Sequence, residues 1–197
     1  MKKYIHLLVL SVIFALMLAS LPFFDSCEEL CDDVLRIHIL ANSDSAADQS
    51  LKLGVRDRVV GACARYYDGC TDKEQAIAIT RDHLREIEEV AADEIRSRGF
   101  TYPVRAELDE MYFDTRYYER FTMPAGTYDA LRLTIGAGRG HNWWCVMYPS
   151  LCVGAACDSE LHDRLDRGEY RVVTSDKLDF RFKLVEWFRQ LKGDRDK

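Results

Sequence analysis

His141 and Cys145 are the pair in this chain best suited to covalent chemistry, since an imidazole that takes a thiol proton leaves a thiolate nucleophile. That pairing needs the side chains within hydrogen-bond reach. A spacing of four suits a helix, whereas the residues around them read as a loop entering a strand. Adding Cys152 and Cys157 to His141 and Cys145 makes a possible zinc set, but the spacings lack the close ligand pairs of structural zinc sites. Gly136, Gly138 and Gly140 follow a strand pattern and invite a dinucleotide reading. A phosphate site would need a third glycine at position 141 and a helix N-terminus behind it. The sequel is His141-Asn142-Trp143-Trp144, so a turn is the better reading. Asp44, Asp48 and Asp57 lack the turn glycine and bidentate acid of a calcium loop. The chain has no Gly-x-Ser-x-Gly elbow, no His-Glu-x-x-His helix and no Asp-Thr/Ser-Gly triplet. No metal or cofactor is therefore expected.

Around these residues, 27 Lys+Arg against 33 Asp+Glu give a formal net charge of −6. Nucleic-acid binding draws most of its affinity from phosphate neutralisation, so this balance disfavours it. At 48% hydrophobic and 30% charged, the composition is that of a globular chain. Its start is different. Lys2 and Lys3 precede a run from Leu7 to Phe24 without a charged residue, which as a helix spans roughly 27 Å, near the thickness of a bilayer core. Residues 1–24 read as a signal peptide or an N-terminal membrane anchor. The nearest cleavage box, Leu18-Ala19-Ser20, has a poor first residue, and Phe24-Asp25-Ser26 before Cys27 is no lipoprotein box. In either case the basic end stays inside and the remainder is exported. The seven cysteines then lie where disulfides are permitted, and an odd number leaves at least one outside an intramolecular pair. Cys145 and Cys152 are the disulfide candidate, closing a short loop worth roughly 2–3 kcal/mol.

Residues 25–33 read as a short tether and 34–197 as one α+β domain. Val34–Ala41 is a strand candidate, with His38 inside it as a packed or solvent-facing residue. Ser45 and Asp48 form a capping box for a helix to about Tyr66, with Leu51, Val55, Val59 and Ala62 inward and Lys52 outward. Thr71 and Glu74 open a second helix, marked by Ile77, Leu84, Ile87, Ala91 and Ile95 and stopped at Gly99. The period then changes to two. Tyr102–Leu108, a paired Met111–Phe113, Tyr128–Ile135 and Trp143–Tyr148 follow as antiparallel strands. Glu169–Thr174 reads as a short strand or loop. A C-terminal amphipathic helix from Asp176 carries Phe180, Leu184, Trp187, Phe188 and Leu191 for docking on the sheet.

Two long stretches point further. Arg36-Ile-His-Ile-Leu-Ala-Asn-Ser-Asp-Ser45 with Asp48-Gln-Ser-Leu-Lys-Leu-Gly-Val-Arg-Asp57 resembles the opening of the stage II sporulation protein R family. Pro124-Ala-Gly-Thr-Tyr-Asp-Ala-Leu-Arg132 and Gly138-Arg-Gly-His-Asn-Trp-Trp-Cys145 are similar to its second signature. The resemblance is best over 35–152. It departs at His141, where the family has Lys, and at Pro149-Ser150, where it has a double Pro. It implies a protein made in the forespore and exported into the space between forespore and mother cell. There it would activate a membrane-bound aspartic protease that removes the pro-sequence of sigma-E, with no chemistry of its own and with membrane contact only through the N-terminal segment.

The residues expected to meet that protease are Asn42, Asp44 and Asp48 at the first strand–helix junction, with Asn142, Trp143 and Trp144, one tryptophan exposed and the other in the core. Helix capping and core filling are the plainer roles for the same side chains. The alternative function is an exported cysteine- or zinc-dependent envelope hydrolase using His141 and Cys145.

Overall fold

The computed structural model describes residues 2–118, 121–149, 165–175 and 180–192. The fold class is α+β, as the patterning predicts. The order is α1 (Lys2–Asp33), β1 (Leu35–Leu40), α2 (Ala46–Tyr66), α3 (Lys73–Asp82), α4 (Leu84–Ser97), β2 (Val104–Phe113), β3 (Arg116–Tyr117), β4 (Thr122–Met123), β5 (Gly126–Ile135), β6 (Asn142–Tyr148), α5 (Arg167–Val173) and α6 (Phe180–Lys192). Two compact units divide it. One comprises Met1–Cys31, Tyr112–Gly126 and Leu165–Lys197, the other Asp32–Met111 and Thr127–Arg164.

The second unit is built on a four-stranded sheet ordered β2-β5-β1-β6. It is mixed. β1 pairs with β6 antiparallel, but with β5 in parallel. A parallel neighbour needs a long crossover, and α2, α3, α4, β2, β3 and β4 lie between β1 and β5 in the chain. Leu35, Ile37 and Ile39 share one face with Leu131, Leu133 and Cys145, and all are buried. The helices cover that face, as the Arg56 guanidinium of α2 5.2 Å from the Trp143 ring and the Lys73–Asp129 ion pair at 2.9 Å record. Their own apolar stripes complete the core: Leu51, Val55, Val59 and Ala62 from α2, and Ile87, Ala91 and Ile95 from α4. Burial pushes the Cys63 thiol up to about 12, so this sulfur is inert as a nucleophile.

The helix region departs from the sequence reading in three places. Ser45 does cap α2, accepting from the Asp48 amide at 3.1 Å. α3, however, is capped by Asp72, which accepts from the Gln75 amide at 2.8 Å, rather than by Thr71 with Glu74. The expected second helix is two, divided at His83. Lys52, expected outward, is 5% exposed.

In the first unit, α1 runs unbroken to Asp33, so 25–33 is helix and not a tether. Its described residues from Tyr4 to Ala19 are exposed. Beyond them Ser20, Phe23, Cys27, Leu30 and Cys31 make a buried stripe at helical spacing. Phe182 of α6, fully buried, meets Phe23 edge-on with centroids 5.3 Å apart, and Phe24 meets Phe188 at 5.8 Å. Glu169–Thr174, expected as strand or loop, lies almost wholly in α5, which begins with a full capping box between Asp166 and Glu169. α6 inverts its expected face. Phe182 and Val185 are buried, while Phe180, Leu184, Trp187, Phe188 and Leu191 are exposed. Residues 176–179, the expected start of that helix, lie outside the described residues.

Candidate functional site

The β1–α2 junction and the glycine loop between β5 and β6 form one hydrogen-bonded assembly. Asn42 joins them from both ends of its amide. Its Oδ1 accepts from the Ala137 amide at 3.0 Å, and its Nδ2 donates to Asp48 Oδ2 at 2.9 Å. The Ser43 hydroxyl donates to the same carboxylate oxygen at 2.5 Å. The Gly140 amide donates to the Ala41 carbonyl at 2.9 Å, and the Arg139 amide to the Asn42 carbonyl at 3.3 Å. Asp44 accepts from the backbone N–H of His141 and contacts its ring Nδ1. From below, the Lys52 ammonium donates to the His141 carbonyl and to Gln49 Oε1, both at 2.7 Å.

The glycines are there for approach. Gly136 has φ +57, and a Cβ on it would lie 2.4 Å from Asn42 Oδ1. At Gly140 a Cβ would lie 2.2 Å from the Ser43 carbonyl oxygen, a backbone atom that cannot rotate away. The segment is a docked turn leading into β6, with no helix behind it to receive a pyrophosphate.

The hydrogen bonds set the charges. The backbone N–H of His141, then its ring, hold the Asp44 carboxyl below its ordinary range. The Ser43 hydroxyl and Asn42 amide do the same for Asp48. Burial draws the Lys52 ammonium down.

All six residues expected to meet a partner therefore lie at one end of the sheet or beside it, but not in equivalent settings. Asp44 and Asn142 are exposed, and Asn42 is half-buried. Asp48, at 4% exposed, holds the junction together and offers no free carboxylate. Neither tryptophan matches the core-or-exposed expectation, because both are half-buried. Trp143 lies on the helix-covered face near Arg56. Trp144 lies on the opposite face, its ring 4.6 Å from that of His38. His38 is itself buried, the packed one of the two settings its strand position leaves open.

Sequence reasoning missed Lys52 and the partnership of His141 with Asp44. Lys52 had a legible signal, since Asp48, Lys52, Val55, Val59 and Ala62 form a single stripe at four- and three-residue spacing.

His141 against Asp44 resembles a base with its orienting carboxylate. A base needs a nucleophile, and Cys145 is disulfide-bonded. In that state its sulfur has no thiolate to attack with. Cys152 and Cys157, the rest of the expected disulfide and zinc sets, lie outside the described residues. Among the described residues no three His, Cys, Asp or Glu side chains are grouped to hold a metal.

The family model for stage II sporulation protein R matches residues 31–157. This chain belongs to the stage II sporulation protein R family. A curated relative, the stage II sporulation protein R of Bacillus subtilis (strain 168), is 38% identical over 121 residues, covering 61% of this chain and 54% of the relative. The match thus spans about half of that relative's length. No solved structure matches. The family match takes in the whole β1–α2 junction, the glycine loop and β6. It begins at Cys31 and leaves α5 and α6 outside it. α1 is long and apolar enough to cross a membrane by length and composition, as a signal sequence also is.

Proposed function

We propose that this chain is an exported forespore-to-mother-cell signal that activates the membrane-bound aspartic protease processing pro-sigma-E. The observation that carries the reading is a family match over most of the chain, set behind an N-terminal helix of membrane-crossing length. The protein acts in the space between the two cells by binding and performs no reaction. A ligand shifts an equilibrium only by preferring one state. A preference of about 1.4 kcal/mol for the active protease shifts its population tenfold.

The binding surface is the end of the sheet where Asp44, His141 and Asn142 are exposed around the half-buried Asn42. Trp144, on the face away from the helices, extends it. The buried Asp48 and Lys52 hold its two loops in register.

The test is reconstituted processing. The chain is co-produced with the sigma-E-processing protease and pro-sigma-E in a host that does not sporulate, and the shortened product is followed by immunoblot. Cleavage that depends on this chain and persists in Cys145→Ala is expected. A folded, exported Asp44→Ala/Asn142→Ala variant is expected to lose it, and full activity in that variant would remove the surface from the account. Cleavage lost in a Cys145→Ala variant shown to be folded and exported would favour the envelope hydrolase.

A further inference from the structure

The family match does not reach α5 and α6, and that part of the molecule carries an unexplained surface. α6 turns Phe182 and Val185 inward, yet leaves Trp187 59% exposed and Leu191 66% exposed. Beside α1 this outward face forms an open groove of about 440 Å³. Leu184, Trp187 and Phe188 make one wall, and Phe14, Leu18 and Leu21 are among the α1 residues of the other. The α1 wall belongs to the uncharged Leu7–Phe24 run, so the groove continues the surface that would face lipid tails if α1 crosses a bilayer. Asp25 and Glu28 line the groove as well and mark where water begins.

A second cavity, of about 310 Å³, opens beside the same helix. It is lined by Ala19, Pro22 and Ser26 of α1 together with Arg167, Arg171 and Arg181. Gly168 brings α5 close to α1 here, since a Cβ on it would lie 2.4 Å from Ser26 Oγ. Arg181 also lies 4.2 Å from the Phe23 ring centroid. Three arginines thus line one cavity at the depth of Ala19–Ser26, at the edge of the uncharged run, where phospholipid phosphates would lie. Guanidiniums suit phosphate because their donors match its oxygens in pairs.

From the two cavities together we infer that the terminal unit is seated on the bilayer that α1 enters. The exposed face of α6 lies among the acyl chains at the interface, and Arg167, Arg171 and Arg181 hold lipid phosphates. An amphipathic helix with aromatic and aliphatic residues on one side and arginines nearby is the form that lies in an interface. Tryptophan is the residue enriched at that depth. The unit that holds α1, α5 and α6 would then meet its membrane through α6 and the three arginines as well as through α1. This inference does not depend on the protease reading.

The test uses the full chain in vesicles of phosphatidylcholine and phosphatidylglycerol (7:3), with tryptophan emission quenched by lipids spin-labelled along the acyl chain. Trp187 is expected to be quenched, and Trp187→Phe to abolish most of that loss. Arg167→Gln/Arg171→Gln/Arg181→Gln is expected to reduce the quenching to the level seen in pure phosphatidylcholine. Emission untouched by the lipid quencher but removed by aqueous iodide would place α6 in water and overturn the inference. Protection from both quenchers, with Trp187→Cys cross-linking two copies, would make the occupant a second copy and equally overturn it. Wild-type quenching is read without any arginine variant, so a variant that misfolds does not decide the question.

Discussion

Gly140→Ala is the sharpest probe of how the glycine loop is held. The new Cβ would lie 2.2 Å from the Ser43 oxygen and 2.5 Å from its carbonyl carbon, and neither can move without shifting the β1–α2 junction. Overpacking of this kind costs about 1–3 kcal/mol. Lifting the loop also strains the Gly140–Ala41 bond at 2.9 Å and the Lys52–His141 bond at 2.7 Å. Each is worth about 1 kcal/mol net. A loss of about 3 kcal/mol follows, which for a chain of this size lowers the Tm by about 6–12 °C. The assay is thermal unfolding of the full chain in mild detergent, followed through Trp143 and Trp144, which β6 carries out of this loop. Gly61→Ala is the control. It lies within α2 with nothing within 4 Å of a new Cβ, so it is expected to gain up to about 1 kcal/mol. A Gly140→Ala protein that melts with the wild type would show that the loop does not rest on Ser43, and the assembled surface would fall with it.

The acid limb of stability tests the carboxylate at the centre of the junction. The folded state holds Asp48 below its ordinary value, through Ser43 first and Asn42 second. The stabilisation is therefore present above the unfolded carboxyl pKa and is lost as the pH falls through the lower, folded one. Asp48→Asn is expected to reduce stability at neutral pH and to flatten the decline in acid, and an unchanged acid limb in urea titrations would contradict this. In the other unit, Phe182→Ala removes a fully buried ring that meets both Phe23 and Tyr117, and is expected to cost about 3–5 kcal/mol by urea unfolding. A loss under 1 kcal/mol would mean that α6 does not pack on α1. Cys145→Ala removes a disulfide and is expected to cost about 2–4 kcal/mol by the same measurement while leaving protease activation intact.

What could be read from the sequence was local. The Ser45 cap and the α2 stripe both follow from patterns within one element, and each holds. What could not be read is what one element does to another. The parallel pairing of β1 with β5 joins residues nearly a hundred positions apart, and no turn signals it. The inward Lys52 is explained only by the His141 carbonyl above it. The amphipathic face of α6 predicts docking on the sheet. Phe182 and Val185 suffice to pack it, and the larger apolar set is left outside. Of the candidate site, the two stretches that carry the family resemblance proved to be neighbours in space. The division of labour between buried Asp48 and exposed Asp44, both acids of one loop, needed the geometry.

If the chain activates the protease by binding, the dependence of cleavage on dose measures it most directly. Purified full chain is reconstituted at rising ratios with the sigma-E-processing protease in vesicles, and the initial rate of pro-sigma-E cleavage is recorded. A binding activator gives a rate that climbs with the ratio and saturates once each protease is occupied. Full activation by a small fraction of an equivalent, persisting after the chain is removed, would be the behaviour of a catalyst and would contradict the account.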